Sequence, residues 1–517
     1  MQEINTQIQE IKSSKKIRFI VFQIFYWLFA IIIMLYFRNE VFKVEENIKN
    51  ILQITMIIIA LSIDGILILF EKIKLEVYKQ FIILASILGI FYFIVTPFGN
   101  GTDEVSHFLR VFEISRKYTN IHMQEDTTFP PAFSKLVDYK NSVLIKYENY
   151  INEFDAFSMN SEERRDLINE YWNIKLYSPI QYIPQVVGVT IGRVLSDNIV
   201  VIGMCGRITG YIFWIVLCAI SIKLVPNKKT FFLILCLLPV NIFSAICISG
   251  DTVTNAVCTL FISLIYRKVY LKEKINKKEK TILLILCCMI ALCKIVYLPF
   301  VAIVLLLKEE NFENKKSFKK FIIRTITLSI IVGFSWLVVG SMNLANSNSA
   351  SGEQLKFILN NPFEYCMIIM RTLTQKGAQY IYQLCTGDEL MCHAKTTVYP
   401  IVSYIISICL LMSLFVNEKK EELQINALRR VWVGLIMFGT SILIVTAIYI
   451  QWTSLAGIGK VGNEIILGIQ GRYFIPIFVL SIFILNKTKL ETNEKYLITS
   501  VILMQLPILF QIMNVFV

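Results

Sequence analysis

The sequence predicts an all-α integral membrane protein built on many helices, and three observations carry this prediction. Apolar residues make up 55% of the 517 positions, charged residues only 17%, and the mean hydropathy is +0.60. Soluble domains carry about 25% charged residues, so this composition excludes a soluble, a disordered or a disulfide-stapled secreted protein. The composition is the first observation and the mean hydropathy is the second. The third is a series of apolar runs of about 20 residues, the length that crosses the hydrocarbon core as a helix.

Most of these runs are long enough to be membrane spans. The runs that qualify are 18–37, 51–70, 80–96, 199–222, 230–248, 252–270, 321–340, 398–416, 431–450, 473–486 and 496–515. The stretch 281–307 is interrupted by Lys294 and Pro299. We interpret it as two short half-helices, which brings the expected number of transmembrane helices to about thirteen.

The distribution of lysine and arginine predicts the orientation of the chain. With the N-terminus in the cytoplasm, the cytoplasmic loops hold 30 Lys and Arg in 89 residues, whereas the opposite side holds 19 in 196. Such residues accumulate on the cytoplasmic side of short loops. The rule also requires the two half-helices of 281–307, because the loops on both sides of that stretch are basic. The net charge of +13 is dispersed over these loops, whereas nucleic-acid binding needs basic residues in one patch. The sequence therefore predicts no nucleic-acid partner.

Two long segments, 97–198 and 341–397, fall on the outer side in this topology. Segments of such length are usually functional or disordered. The first has helix-like stretches at 103–118 and 161–175, and it ends in an apolar segment that begins at Ile180. A span at that segment would invert every later basic loop, so we expect a short helix lying in the outer interface.

The densest group of polar residues follows the third span, in the segment TDEVSHFLR. Asp103, Glu104, His107 and Arg110 follow one another at spacings of one, three and three. In a helix that begins near Thr102, such spacings place side chains on one face, and the two acids cap the first turn. A well-capped helix with an Asp–Arg pair is the simpler interpretation. The location at the mouth of the bundle, with adjacent carboxylates beside a histidine, favours a functional one.

Two further clusters lie on the same side. In YSPIQYIPQ, Tyr177 and Gln181 supply a hydroxyl, an amide and an aromatic face that suit sugars, although interfacial tyrosine belts look similar. In SGDTVTN, Asp251 and Asn255 follow a tight turn, where an acid often only caps the next helix. Both clusters are therefore candidates for substrate binding, with a structural alternative beside each.

Two cations complete the set of candidates. Lys294 lies between the half-helices, where it either binds an anion or extends to the surface. Arg472 lies in GIQGRYFIP, where the chain re-enters the membrane, and its planar guanidinium suits a phosphate or an interfacial anchor. Outer carboxylates with cations at membrane depth predict a reaction between an aqueous acceptor and a lipid phosphate. A disulfide between Cys385 and Cys392 is chemically allowed in the second outer segment.

These motifs, in this order across about residues 80–515, resemble the bacterial polytopic membrane family catalogued as domain of unknown function 2142. That family is similar to the GT-C glycosyltransferases, which use polyprenyl-phosphate sugar donors. The DE-x-x-H-x-x-R and QGRY pieces are the most specific. Residues 1–72 fall outside the resemblance as an added two-helix membrane hairpin, which leaves 73–517 as a GT-C-like polytopic domain. The acidic motif here follows the third span, so the match requires the first two helices to be additional.

The resemblance implies an enzyme of the bacterial plasma membrane that moves a sugar from a polyprenyl-phosphate donor to an extracytoplasmic glycan acceptor. Asp103 or Glu104 would be the catalytic base, and Arg472 and Lys294 would hold the departing phosphate. Glu104, His107 and Arg110 would orient Asp103 or the acceptor. The further substrate-binding candidates, which rest on the residues alone, are Tyr177, Gln181, Asp251 and Asn255. The resemblance does not imply whether a divalent cation is needed, because GT-C members differ; such a cation, if one binds, would lie on Asp103 and Glu104.

Three other functions fit the same topology. A transporter or flippase of lipid-linked sugars is disfavoured because many transporters have internal repeats, and we find none in this sequence. A glycan polymerase or ligase at the outer face would use a different donor. A noncatalytic scaffold for envelope assembly would make the aligned polar groups accidental.

Overall fold

The computed structural model describes residues 2–119, 128–142, 146–160, 163, 165–342, 349–386, 400–416, 423, 425–485 and 494–516. The α-helices are α1 (Gln2–Tyr36), α2 (Glu46–Lys72), α3 (Val77–Val95), α4 (Glu104–Thr119), α5 (Pro131–Ser142), α6 (Tyr147–Asn152), α7 (Ile183–Leu195), α8 (Ile199–Leu224), α9 (Lys229–Cys236), α10 (Pro239–Ile246), α11 (Asp251–Leu271), α12 (Lys277–Cys293), α13 (Lys315–Met342), α14 (Ser349–Asn360), α15 (Pro362–Thr386), α16 (Pro400–Phe415), α17 (Ala427–Ile448), α18 (Ile475–Val479) and α19 (Glu494–Phe516). The 3-10 helices are Phe154–Phe157, Ile168–Glu170, Trp172–Leu176, Pro179–Tyr182, Ile295–Leu306, Glu309–Asn311, Gly471–Phe474 and Leu480–Phe483, and π-helical turns follow α1 and α17 at Phe37–Val41 and Tyr449–Thr453.

The predicted class, an all-α membrane protein, is confirmed, whereas the predicted number of about thirteen spans is not. Among the described residues, seven helices are long and apolar enough to cross a membrane, or eight if the bent pair α9–α10 counts as one span. Those helices are Ile17–Val41, Glu46–Lys72, Val77–Val95, Ile199–Leu224, Lys315–Gly340, Ala427–Thr453 and Glu494–Val515. Several other predicted spans are apolar but shorter, among them α16 and Ile295–Leu306.

The bent pair α9–α10 is held by a polar side chain of α19. The two helices meet at 57°, because Pro239 begins α10 and cannot continue the hydrogen bonds of α9. The carbonyl of Leu237 is left free at the bend and accepts a 2.9 Å hydrogen bond from the Gln505 amide of α19. The Tyr92 hydroxyl donates to the other end of that amide at 2.8 Å. Helices α3, α9 and α19 are thereby tied together inside the bundle.

The apolar segment at the end of the first outer region forms α7, a helix of 13 residues. It lies directly against α8, since a Cβ on Gly188 would be 2.2 Å from the carbonyl oxygen of Cys205. Its other face exposes Ile183, Val187 and Ile191 at helical spacing. Thirteen residues are too few to span a bilayer, so the expectation of a short helix beside the bundle agrees with its length. Its position in the membrane interface stays a prediction.

The two long segments 97–198 and 341–397, for which the outer side is predicted, contain more helix than expected in one place and less in another. The predicted helix at 103–118 is present as α4. The one expected at 161–175 is wrong: the strand Arg165–Asp166 pairs antiparallel with Thr128–Phe129, and 3-10 turns follow. The strand pair there supplies hydrogen bonds to the backbone N–H and C=O groups that a helix would otherwise have to supply. The segment 341–397 contains α14 and the 25-residue α15.

The predicted break at Lys294 is confirmed. Helix α12 ends at Cys293, Lys294 is extended (φ −148°, ψ 116°), and a 12-residue 3-10 helix follows. Pro299 lies inside that helix and lacks the N–H that a regular α-helix needs. The break exposes the Lys294 side chain to groups of other helices instead of burying it along one helix. The return of both half-helices to one face stays a prediction.

Candidate functional site

The turn between α3 and α4 presents Asp103 in an unusual backbone conformation. Gly99 has φ +86°, and Asp103 itself has φ +56°, in the left-handed region. Such a conformation costs a non-glycine residue about 1–3 kcal/mol and persists only where the surrounding structure enforces it. The Asp103 side chain stays 37% exposed, whereas that of Glu104, one residue later, is fully buried.

A buried ion pair enforces this turn. The Glu104 carboxylate accepts two hydrogen bonds from the Arg207 guanidinium of α8, from Nε at 2.6 Å and from Nη2 at 2.5 Å. The same guanidinium donates to the carbonyls of Thr96 and Pro97. Both side chains have no exposed surface. In this bidentate arrangement, the two opposite charges are tolerated in an apolar interior.

Glu104 also connects the two segments that carry the candidate acids. Its carboxylate accepts backbone N–H bonds from Gly99 at 2.9 Å and Gly101 at 3.0 Å, within the turn before α4. A third such bond, from Ile248 at 2.9 Å, comes from the turn before α11. Asp103 and Asp251 each lie within three residues of one of these anchored positions. One buried carboxylate therefore fixes both turns relative to each other.

Four charged side chains from distant parts of the sequence meet beside these turns. Lys294 Nζ is 2.5 Å from Asp251 Oδ1, and Arg472 Nε is 3.3 Å from Asp251 Oδ2. Arg472 Nη2 lies 3.7 Å from Asp103 Oδ2. Exposed fractions of 13% for Lys294, 9% for Arg472 and 8% for Asp251 place the three largely inside the protein, and Asp103 forms the open edge of the group. We call these four residues the charged cluster.

Aromatic rings border the two cations. The Lys294 ammonium is 5.0 Å from the ring centre of Tyr473 and 5.7 Å from that of Tyr177, and the Arg472 guanidinium is 5.3 Å from Tyr473. The Tyr297 hydroxyl donates to the Tyr473 carbonyl at 2.7 Å and so holds this segment against the half-helix after Lys294. Cations over ring faces are stabilised without using the hydrogen-bonding capacity of an anion that approaches them.

Helix α15 positions the segment that carries Arg472. The backbone N–H of Gly471 donates to the Gln383 side chain at 3.1 Å, and a Cβ at Gly471 would come within 2.3 Å of the Leu384 nitrogen. Only glycine permits this approach. Cys385, the next residue of α15, is buried and accepts a hydrogen bond from Ser407, whereas Cys392 lies outside the described residues.

The predicted tyrosine and glutamine cluster covers the inner side of the site. His107 Nδ1 and the Tyr182 hydroxyl are 2.7 Å apart, and the His107 ring is stacked with Tyr177 at 6.2 Å. Gln181 is fully buried against Gly250, and neither end of its amide has a hydrogen-bond partner among the described residues. Such an amide can bind a polar group of a ligand. Gln181 thus lies against the turn that leads to Asp251, and Tyr177 contacts His107 and Lys294.

The burial of His107 predicts a pH-dependent stability. Burial lowers the pKa of His107 to about 4, although Asp103 and Asp251 act in the opposite direction and Lys294 and Arg472 reinforce the effect. The unfolded chain binds this proton first as the pH falls below about 6.5, so stability should decrease between about pH 6.5 and 4. We expect the replacement His107→Gln to flatten that part of the melting-temperature profile in detergent. An unchanged slope would contradict a neutral, buried histidine.

Two predicted residues contact other partners. Arg110 donates to Glu113 at 2.6 Å, and Lys175 lies 3.3 Å from the same carboxylate, which is 1% exposed. Asn255 donates to the side chain of Asn241 at 3.3 Å, between α10 and α11. These side chains bond neighbours of their own, so the geometry brings neither Arg110 nor Asn255 into direct contact with the charged cluster.

The arrangement of the acids does not fit a shared metal site. Asp103 faces Arg472, whereas the oxygens of Glu104 already accept hydrogen bonds from Arg207 and from backbone N–H groups. In the part of the chain that the structure describes, no three His, Cys, Asp or Glu side chains converge at metal-binding distances. We therefore derive no step through a divalent cation held by Asp103 and Glu104.

Two residues of the site, Arg207 and Tyr473, were not predicted from the sequence, and neither was Glu113, the partner of Arg110. Arg207 interrupts an otherwise apolar span, and a charge at such a depth requires a partner; that signal was available. Tyr473 is adjacent to Arg472 in the QGRY motif, but only the fold turns its ring toward Lys294. Glu113 follows Arg110 at helical spacing, which suggests the pair that the structure contains.

Comparison with known proteins identifies one family. A family model described as "Predicted membrane protein (DUF2142)" matches residues 86–481, which include α4, the charged cluster and α15. The match begins after α1 and α2. No curated protein and no solved structure matches the chain. Since the matched region covers more than half of the sequence, this chain belongs to the family of predicted membrane proteins DUF2142.

Proposed function

We propose that this chain is a membrane glycosyltransferase that moves a sugar from a polyprenyl-phosphate donor to an extracytoplasmic acceptor such as a cell-envelope glycan. The observation that carries the proposal is the charged cluster, in which the partly exposed carboxylate of Asp103 lies beside Arg472, and Asp251 links Arg472 to Lys294. The cations suit a lipid phosphate, and the partly exposed carboxylate suits a hydroxyl group from the aqueous phase. The transfer reaction needs both environments side by side. The proposed location is the bacterial plasma membrane, with the N-terminus in the cytoplasm and the site on the opposite face.

Asp103 is the proposed general base. Its carboxylate is the most exposed part of the charged cluster, and the turn presents it away from the buried network. It would accept the proton of the acceptor hydroxyl as that oxygen attacks the anomeric carbon. Glu104 is better suited to a positioning role, because its oxygens already accept bonds from Arg207 and three backbone N–H groups.

Arg472 and Lys294 are the proposed phosphate ligands. As the bond between the sugar and the phosphate breaks, negative charge grows on the phosphate oxygen, and preorganised cations stabilise that charge. The phenol rings of Tyr177 and Tyr473 flank Lys294 and offer faces for the sugar ring. Gln181 supplies a buried amide whose nitrogen and oxygen have no hydrogen-bond partner in the described part of the chain, and which suits the hydroxyl groups of a sugar.

The test is an assay of donor-stimulated release of polyprenyl phosphate by the purified protein in detergent, with a panel of polyprenyl-phosphate sugars. Asp103→Asn and Arg472→Ala should abolish release. The matched control is Asp155→Asn, which removes an exposed charge from the first outer segment and should keep wild-type turnover. If no donor is consumed but one is carried intact across proteoliposomes, a flippase replaces the transferase.

Arg472 should be needed for donor binding as well as for turnover. Truncating one member of a buried, hydrogen-bonded charge pair commonly costs about 2–5 kcal/mol of binding energy. We therefore expect Arg472→Ala to weaken donor binding by at least about 30-fold, measured by titration with a nonhydrolysable donor analogue. Arg472→Lys keeps the charge but not the planar fork, and should recover only part of the loss. Equal binding by wild type and Arg472→Ala would remove the residue from the phosphate site.

A further inference from the structure

Asp251 contacts the two cations of the charged cluster in a specific way. One carboxylate oxygen is 2.5 Å from Lys294 and the other is 3.3 Å from Arg472, so the carboxylate bridges them. The contact with Arg472 is an ion pair and not an aligned hydrogen bond, and Arg472 Nε has no hydrogen-bond partner among the described residues. The guanidinium is therefore held near Asp251 without being saturated by it.

A phosphate would use the same groups. Two oxygens of a phosphate, like those of a carboxylate, accept from a guanidinium and an ammonium together. Lys294 and Arg472 contribute two positive charges and Asp251 removes one of them. A bound phosphate must share these cations with Asp251 or draw them away from it.

The neighbouring turn keeps Asp251 in this position. Gln185 donates to the Ser249 carbonyl at 2.8 Å and to the Thr252 hydroxyl at 3.3 Å, on either side of Asp251. The Glu104 carboxylate accepts from Ile248 in the same turn. The carboxylate is thus fixed by its backbone and does not depend on a ligand for its location.

We infer that Asp251 is a specificity-determining residue that limits the affinity of the site for phosphate and so permits release of the lipid-phosphate product. This inference rests on the proposed function. The donor is a phosphodiester with one negative charge. During transfer the acceptor oxygen bonds to the anomeric carbon, the carbon–oxygen bond to phosphate breaks, and its electron pair stays on the phosphate. The acceptor proton goes to Asp103, and the product monoester carries up to two negative charges at neutral pH.

The consequence is a balance between the affinity for the donor and the affinity for the product. Two cations without a counter-charge would bind the doubly charged product more tightly than the singly charged donor. Asp251 lowers the positive charge offered to the ligand by one, in addition to the charge that Asp103 removes while it is ionised. The residue thereby favours a singly charged phosphodiester as substrate over ligands with more charge.

The experiment measures binding of farnesyl phosphate, a short polyprenyl monoester, by calorimetry at pH 8 in detergent. Asp251→Asn should bind it at least about tenfold more tightly than wild type, since removal of a neighbouring like charge strengthens an ion pair in a poorly solvated site. Asp155→Asn, which removes the same charge from an exposed position, should bind as wild type does. Equal or weaker binding by Asp251→Asn would overturn the inference.

A second pair of variants covers the case in which Asp251→Asn does not fold. Lys294→Met leaves Asp251 paired with Arg472, whereas Lys294→Met with Asp251→Asn leaves Arg472 as the remaining cation of the pair. The double variant should bind farnesyl phosphate more tightly than Lys294→Met alone. Equal affinities for these two proteins would show that Asp251 does not oppose the phosphate.

Turnover separates this inference from the proposed function. In the transfer assay, Asp251→Asn should complete a first turnover and then slow, because the product leaves slowly. If wild type consumes no donor, the glycosyltransferase proposal fails, while the binding comparison still decides the role of Asp251. If wild type transfers sugar and Asp251→Asn neither slows nor binds the monoester more tightly, the inference fails and the proposed function stands.

Discussion

Replacing Asp103 with asparagine is expected to lower the rate of sugar transfer by at least about 100-fold, the loss typical of a missing general base. Asparagine has nearly the same shape but cannot take up the acceptor proton. Donor binding should be retained or become tighter, because the change removes a negative charge 3.7 Å from Arg472. Rate constants from single-turnover experiments and donor affinities from titration measure the two effects separately.

The control for Asp103→Asn is a variant that alters the same turn without touching the carboxylate. Thr102→Ser lies one residue earlier and keeps a hydroxyl group. It should transfer sugar within about threefold of the wild-type rate, the spread of an ordinary conservative change. A loss smaller than about tenfold in Asp103→Asn would assign the proton to another group.

The second large effect concerns the buried pair of Glu104 and Arg207. Removing one member of a fully buried ion pair leaves the other charge without compensation and typically costs about 3–5 kcal/mol. We expect Glu104→Ala and Arg207→Ala to lower the free energy of unfolding by this amount, measured by denaturant titration in detergent. Both variants should also lose transfer, because the turns that carry Asp103 and Asp251 lose their common anchor.

An exposed pair in the same protein supplies the comparison. Arg38, in the π-helical turn that follows α1, forms an ion pair with Glu46 of α2, and the Glu46 side chain is 64% exposed. Exposed pairs contribute about 0–1 kcal/mol, so Glu46→Ala should have little effect in the same titration. If Glu104→Ala were no more destabilising than Glu46→Ala, the buried network would not hold the site together.

Helices that depend on local apolar length were predictable, and so was the break at Lys294. Charge placement and hydropathy act over about 20 residues and can be read directly from the sequence. Helix α15 was not predicted, because its apolar residues form a stripe on an otherwise mixed helix and do not make a continuous run. The helix expected at 161–175 failed for the opposite reason: strand pairing with Thr128–Phe129, which is remote in sequence, decided the local structure.

The members of the charged cluster were predictable one at a time, but their partners were not. Lys294 and Arg472 are candidates because a charge near an apolar span is costly, and Asp251 is a candidate because it follows a tight turn. Their meeting depends on contacts between segments as far apart as residues 251 and 472. Asp103 is partly exposed, whereas Glu104 is buried and fully hydrogen-bonded. This difference follows from Arg207, whose approach to residue 104 is set by the packing of α8.

The most direct test of the account follows two products in the same proteoliposomes. Vesicles that contain the purified protein and a polyprenyl-phosphate sugar are supplied with an acceptor glycan, and the release of polyprenyl phosphate and the movement of intact donor between leaflets are measured together. The account predicts release that depends on the acceptor and vanishes in Asp103→Asn. Movement of intact donor without release, unaffected by Asp103→Asn, would contradict it.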